Sequence, residues 1–189
     1  MQLQKSGIRV LGISDSYSSS NQSILCGVVM RRDIHIDGFI FGSITVGGDD
    51  ATEVIITMIT KMERKDITAI ILNGCVIAGY NIISPETIST KFGIPVICVS
   101  YEQSDGLEGH IAHHFPGNYE KMKKYEDLGT RIEITLNTGY SLFARGWGIT
   151  DDEMIRAIRI FTLHGKIPEP IRVARLCARS IMQYTDVGI

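Results

Sequence analysis

The stretch Ile67–Asn81, ITAIILNGCVIAGYN, decides the fold of this chain. Ile67 to Leu72 is an unbroken run of apolar or β-branched residues without helical spacing. Such a run between turn formers marks a strand buried on both faces, the pattern of a central strand in a parallel sheet. It stops at Asn73-Gly74, with Gly79 and Asn81 close behind. In open α/β sheets, ligands and chemistry gather at the carboxyl ends of such strands. Asn73 therefore stands where a catalytic residue is expected, yet its amide cannot ionise.

Upstream, Ile8–Ser14, Ile24–Met30 and Ile34–Val46 have strand-like apolar content. Arg31-Arg32-Asp33 between the last two has a length suited to a hairpin. The serine-rich link Asp15–Ser23 joins the first two. With no helix between them, these three strands predict an antiparallel meander. After Gly47-Gly48-Asp49-Asp50, the residues Ala51, Val54, Ile55, Met58, Ile59 and Met62 recur at helical spacing. Asp50 followed by Glu53 matches a capping box with Asp as the cap. Beyond the central strand, Ser84-Pro85-Glu86 opens a short helix with proline at its first position, ending near Gly93. Pro95–Ser100 then reads as another buried strand.

Tyr101–Gly117 has no clear pattern. On a helix His110, His113 and His114 would share a face, a spacing that suits a metal. No acidic partner motif accompanies them, and surface or capping histidines are the preferred reading. Asn118–Leu128 is a charged helical segment, Arg131–Leu136 alternates as a half-exposed strand, and Tyr140–Ala144 pairs with it across Asn137-Thr138-Gly139. Thr150-Asp151-Asp152-Glu153 is a capping box, followed by Met154, Ala157, Ile158 and Phe161 on the buried side, with Gly165 closing the helix. Ile167-Pro168-Glu169-Pro170 reads as a rigid connector. The last helix is expected to bury Ile171, Ala174, Ala178 and Ile181.

A chain of 189 residues can bury a sizeable core, and no linker or repeat divides it. One domain over 1–189 is expected, helical over 150–183. No apolar run approaches the ~20 residues of a membrane span. MQLQKSG at the start has no apolar signal core, so a cytoplasmic location is expected, with the four scattered cysteines reduced and buried. The net charge of −2 suggests no polyanion partner, but its distribution is uneven. Residues 1–120 hold 8 Lys and Arg against 13 Asp and Glu, whereas residues 121–189 hold 11 against 8. Arg172, Arg175 and Arg179 share one face of the last helix. The bland reading is a solvated face; the sharper one is phosphate binding. The motifs GxxxxGK[ST], GxSxG and HExxH are absent, as is a GxGxxG after a strand, which removes support for phosphate-loop and serine-hydrolase chemistry.

Three antiparallel strands, a helix, a parallel strand, a helix and a further strand form the ribonuclease H-like layout, an α/β fold with a mixed sheet. More specifically, the chain resembles an archaeal family, a domain of unknown function related to endonuclease V. The resemblance rests on Leu11-Gly12-Ile13-Ser14-Asp15, Asp50-Ala51-Thr52-Glu53, Asn73-Gly74 with Ala78-Gly79-Tyr80-Asn81, His114-Phe115-Pro116 and, most distinctively, GKIPEPIRVARLCA at Gly165–Ala178.

That resemblance implies a nuclease ancestry in which carboxylates of the first strand, first helix and central strand hold one or two Mg²⁺ or Mn²⁺ ions. Asp15, Glu53 and Asn73 are then the candidate catalytic positions, and Asp15, Asp50 and Glu53 the candidate metal ligands. The match is incomplete. The family pattern has two acids after the first Gly-Ile, where this chain has Ser14 and Asp15, and an Asp-Gly where it has Asn73-Gly74. Hard cations need charged oxygen donors, so two missing charges weaken Mg²⁺ binding. The bland alternatives are helix capping for Asp50 and Glu53, a loop start for Asp15 and a turn for Asn73. The expected function is nucleic-acid or nucleotide binding at a cleft of Asp15, Glu53, Asn73 and Asn81 with a degenerate metal site. The alternatives are a Mg²⁺-dependent endonuclease and a non-enzymatic partner-binding domain.

Overall fold

The structure is a computed structural model that describes residues 7–17 and 21–186. In chain order its elements are β1 (Arg9–Tyr17), β2 (Gln22–Arg31), β3 (Ile36–Thr45), α1 (Ala51–Lys61), β4 (Ile67–Asn73), β5 (Val76–Ile77), β6 (Asn81–Ile82) and α2 (Pro85–Phe92). There follow β7 (Val96–Ser100), α3 (Glu108–His114), α4 (Tyr119–Glu126), β8 (Ile132–Thr135), β9 (Ser141–Trp147), α5 (Asp151–Phe161) and α6 (Glu169–Asp186). Seven strands form one sheet in the order β3-β2-β1-β4-β7-β9-β8.

β4 is the central strand that its composition predicts. It runs parallel to β1 on one side and β7 on the other, and Ala69 to Leu72 are completely buried. The meander β1-β2-β3 is antiparallel throughout, as is β7-β9-β8. Alternation along each strand divides the core in two. Leu11, Ile13, Ile70 and Leu72 meet Ile55 and Ile59 of α1 and Ile88 of α2 on one face. Val10, Val28, Met30 and Ile71 meet Phe161 of α5 and Ile171, Ala174 and Ala178 of α6 on the other. The result is the ribonuclease H-like arrangement of a mixed sheet between helices.

Several expectations need correction. β1 continues to Tyr17 and β2 starts at Gln22, so Asp15 is a ladder residue opposite Leu25 rather than the start of a loop. Pairing with β2 overrides the turn propensity of the serines; residues 18–20 of that link lie outside the described residues. Cys75, two residues beyond β4, and Cys98, in the middle of the neighbouring strand β7, are joined as a disulfide with Cα atoms 6.2 Å apart, so these two are not the reduced cysteines expected. Cys26 and Cys177 are free. The proline connector is half helix, because α6 already starts at Glu169 and the Arg172 amide donates to Pro168. Met182 rather than Ile181 completes the buried side of α6. The unassigned stretch after β7 contains α3.

Candidate functional site

β1 and β4 end side by side, and β3 ends at the same rim because it runs parallel to β1 across the meander. Ser14 and Asn73 sit on the α6 face of the sheet, where the Asn73 amide donates to the Ser14 hydroxyl at 3.0 Å. Ser14 is buried and Asn73 half-buried. Two neutral side chains thus satisfy each other across the strand ends.

Asp15, one residue on, faces the other side, as strand alternation requires. Its carboxylate accepts from the Ala78 amide at 3.1 Å and more weakly from the Ser23 hydroxyl at 3.5 Å. Burial pushes its pKa above the ordinary carboxylate value, against these hydrogen bonds and the charge of Arg175. A raised folded-state pKa gives a contribution to stability that is fully present below the unfolded value and lost as pH rises through the folded one. Asp15→Asn keeps an acceptor for Ala78 and removes the buried charge. It should raise the melting temperature at neutral pH, and thermal melts across pH should show that gain vanishing in acid.

The Asp15 partner belongs to a strained turn. Ala78, Gly79 and Tyr80, between the short strands β5 and β6, have φ of 40°, 68° and 73°. Only glycine adopts that region freely, and other residues held there cost about 1–3 kcal/mol each. The turn persists because separate parts of the chain clamp it. Ala78 donates to Asp15 and accepts from the Gly47 amide at 2.7 Å, while the Tyr80 carbonyl accepts from Lys121 Nζ at 3.0 Å. The Tyr80 ring packs against His114 and Phe115, at centroid distances of 5.3 and 5.9 Å.

Lys121 of α4 is completely buried, and its ammonium also donates to the Gly48 carbonyl and to Asp49, both at 2.9 Å. The Phe115 ring lies 4.8 Å from the ammonium nitrogen. Nothing in the sequence marks this residue, since one lysine in a charged amphipathic segment looks like any other.

The expected Asp50–Glu53 capping box does not form. Asp50 makes no cap bond to the helix; its carboxylate accepts from Thr45 and, at 2.6 Å, from Asn81. Although partial burial opposes it, those bonds hold Asp50 below its ordinary pKa. The fully buried Asn81 replaces it as cap, accepting from the Ala51 amide at 3.1 Å and donating to Thr45 and Asp50. Glu53 is exposed and opens into a cleft of about 630 Å³ between the starts of α1 and α2 and the helix α4, lined also by Thr52, Ser84, Glu86, Lys124 and Trp147. Asp15 and Asn73 line a separate, much narrower crevice with Ser14 and Gly74.

The three candidate metal ligands are therefore differently committed: Asp15 to the strained turn, Asp50 to Asn81 and Thr45, Glu53 to the open cleft. Among the described residues no three acidic, histidine or cysteine side chains converge in a way that would hold a metal ion. His110, His113 and His114 are exposed on α3. As arranged, these side chains do not fit a two-metal centre. On α6, Arg172, Arg175 and Arg179 are all exposed, with Arg172 paired to Glu169 at 2.6 Å. The Arg175 charge reaches Asp15 and the half-buried Tyr101.

The mixed sheet and its flanking helices give this chain the ribonuclease H-like fold, which it shares with endonuclease V. Endonuclease V of Ciona intestinalis, in complex with an inosine-containing 24mer DNA, superposes with a TM-score of 0.64 at 13% identity, over 94% of this chain and 87% of that one. A protein from Archaeoglobus fulgidus gives a TM-score of 0.81 at 28% identity, over 93% and 98% of the two chains. In sequence, a UPF0215 protein of Pyrobaculum calidifontis is 34% identical over 176 residues, 92% of this chain and 97% of its own. The profile of the Endonuclease dU family matches residues 6–182. The chain belongs to the Endonuclease dU family.

Proposed function

We propose that this protein binds nucleic acid at the rim where β1 and β4 end, in a cleft that has lost the charge needed for two-metal hydrolysis. The observation that carries this reading is the Ser14–Asn73 hydrogen bond, 3.0 Å long, between neutral side chains at the two strand ends. Two-metal hydrolysis depends on cations held against attacking and leaving oxygens, and cations depend on charged ligands there. Asp15 is the only acid close to this pair in sequence, and it holds the Ala78 amide. Family membership and the fold shared with a DNA-bound endonuclease V support nucleic acid as the ligand. The exposed Arg175 and Arg179 offer phosphate contacts beside the rim, and the wider cleft at Glu53 offers space.

Calorimetry with Mg²⁺ and Mn²⁺ tests the metal half of this reading. The wild-type chain should show no binding at millimolar metal, whereas the double variant Ser14→Asp with Asn73→Asp should gain a site. Unchanged metal affinity in the double variant would place the ancestral site elsewhere. The family name favours one second reading, a metal-dependent endonuclease acting at dU. Tight wild-type Mn²⁺ binding that Glu53→Gln abolishes, together with cleavage of a dU-containing oligonucleotide, would establish that reading instead.

A further inference from the structure

On the α1 and α2 face of the sheet, two arginines stand together without a counter-charge among the described residues. The β8–β9 ladder starts at the pair Ile132–Ala144, so Arg131 and Arg145 follow on opposite strands at its end. Like charges in that position repel. Arg145 also lies opposite Cys98 of β7, which places it at the wall of a pocket of about 250 Å³. Gly74, Cys75, Ser100, Ser104 and Tyr125 complete that wall, and Gly74 directly follows Asn73.

The donors of the two guanidinium groups can be followed one by one. Arg131 lies over the Phe143 ring and donates from Nη1 to the Ser100 hydroxyl and the Glu102 carbonyl, and from Nη2 to the Ser104 carbonyl. Arg145 donates from Nη1 to the Gly129 carbonyl. Every one of these acceptors is neutral. Neither arginine forms an ion pair among the described residues, and Glu133, the next acid along β8, is exposed. The Nε and Nη2 edge of Arg145 has no acceptor among the described residues. That edge is the two-donor fork that matches two oxygens of a phosphate. Burial, and then the charge of Arg131, push the Arg145 guanidinium below its ordinary pKa. Half-burying two cations side by side is unfavourable unless an anion neutralises them.

We propose that Arg131 and Arg145 form a phosphate-binding pocket beside the strand-end rim, with the Nε–Nη2 fork of Arg145 as the principal contact. A phosphate in this pocket lies next to Gly74 and so beside Asn73. This rests on the nucleic-acid reading only for the source of the phosphate, a strand backbone rather than a free anion.

The test compares melting temperatures in inorganic phosphate and in chloride at equal ionic strength, because an anion that binds only the folded state raises the melting point. The wild-type protein should gain a phosphate-specific rise that Arg145→Gln abolishes. Should Arg145→Gln fold poorly, Arg145→Lys keeps the charge without the fork and should weaken phosphate binding about tenfold or more. The absence of a rise in the wild-type protein, or a rise equal in Arg145→Lys, overturns the pocket. Anisotropy with a labelled single-stranded DNA oligonucleotide separates the two readings. Phosphate binding without oligonucleotide binding upholds the pocket and removes nucleic acid as its source. Oligonucleotide binding that is equal in wild type and Arg145→Lys leaves the nucleic-acid reading standing and removes the strand backbone as the source of the phosphate in this pocket.

Discussion

Lys121→Ala should lower the unfolding free energy by about 3 kcal/mol or more, and the melting temperature by about 10 °C. The substitution leaves the Gly48 and Tyr80 carbonyls without their donor and opens a void under Phe115. Asp49 is half-exposed and recovers water, so it adds little to the loss. Lys121→Met fills most of the void while withholding the charge, and should recover the packing part alone. Denaturant unfolding of the two variants thus separates the void from the unpaired carbonyls. If Lys121→Ala stayed within about 1 kcal/mol of wild type, water would be replacing the ammonium at little cost. The effect should also reach the rim, because this one nitrogen ties α4 to both the Gly48–Asp49 loop and the strained turn.

Gly12→Ala is the second large effect. A Cβ at Gly12 would lie 2.5 Å from the Pro170 Cβ and 2.6 Å from the Pro170 carbonyl carbon. Those are atoms of a proline and a backbone in the first turn of α6, and neither can rotate away. Overpacking of this kind costs typically 1–3 kcal/mol, and more where backbone must move. We expect about 3 kcal/mol, read as a lower denaturant midpoint with an unchanged slope. Two residues beyond Gly12 is Ser14, so a tilted α6 should also disturb the Ser14–Asn73 bond and carry Arg175 away from Asp15. Nuclear magnetic resonance shifts at the Asn73 side-chain amide would register that movement. If those shifts and the midpoint both stayed put, the helix and strand would have more slack than their contact implies.

The central strand, the meander and the helices α1 and α5 are readable because burial leaves plain periodicities: continuous apolar residues for β4, alternation for β8 and helical spacing for α1 and α5. The Thr150–Glu153 capping box formed as its local signal required. The Asp50–Glu53 box carried the same signal and failed, because Asn81, thirty residues away, is the better-placed cap and no local pattern reports it. The left-handed turn at 78–80 was hidden for a related reason. Ala and Tyr carry no propensity for that conformation, and three remote partners impose it. Among the candidate site residues, Ser14 and Asp15 are parted by the plain alternation of β1, which puts neighbours on opposite faces. It did not show that Ser14 would meet Asn73 across the ladder. Arg131 and Arg145 escaped notice because fourteen residues separate them along the chain, whereas the arginines of α6 advertise themselves at helical spacing.

The seating of α6 on β1 and β2 also sets the order in which the molecule can be completed during synthesis. Val10, Cys26, Val28 and Met30 all emerge within the first thirty residues, but the helix that covers them comes from residues 169–186. At about 5–20 residues per second, that apolar face waits on the order of ten seconds for its cover. The early meander is therefore a species that needs protection from its neighbours, and a ribosome-bound holdase is the natural candidate to supply it.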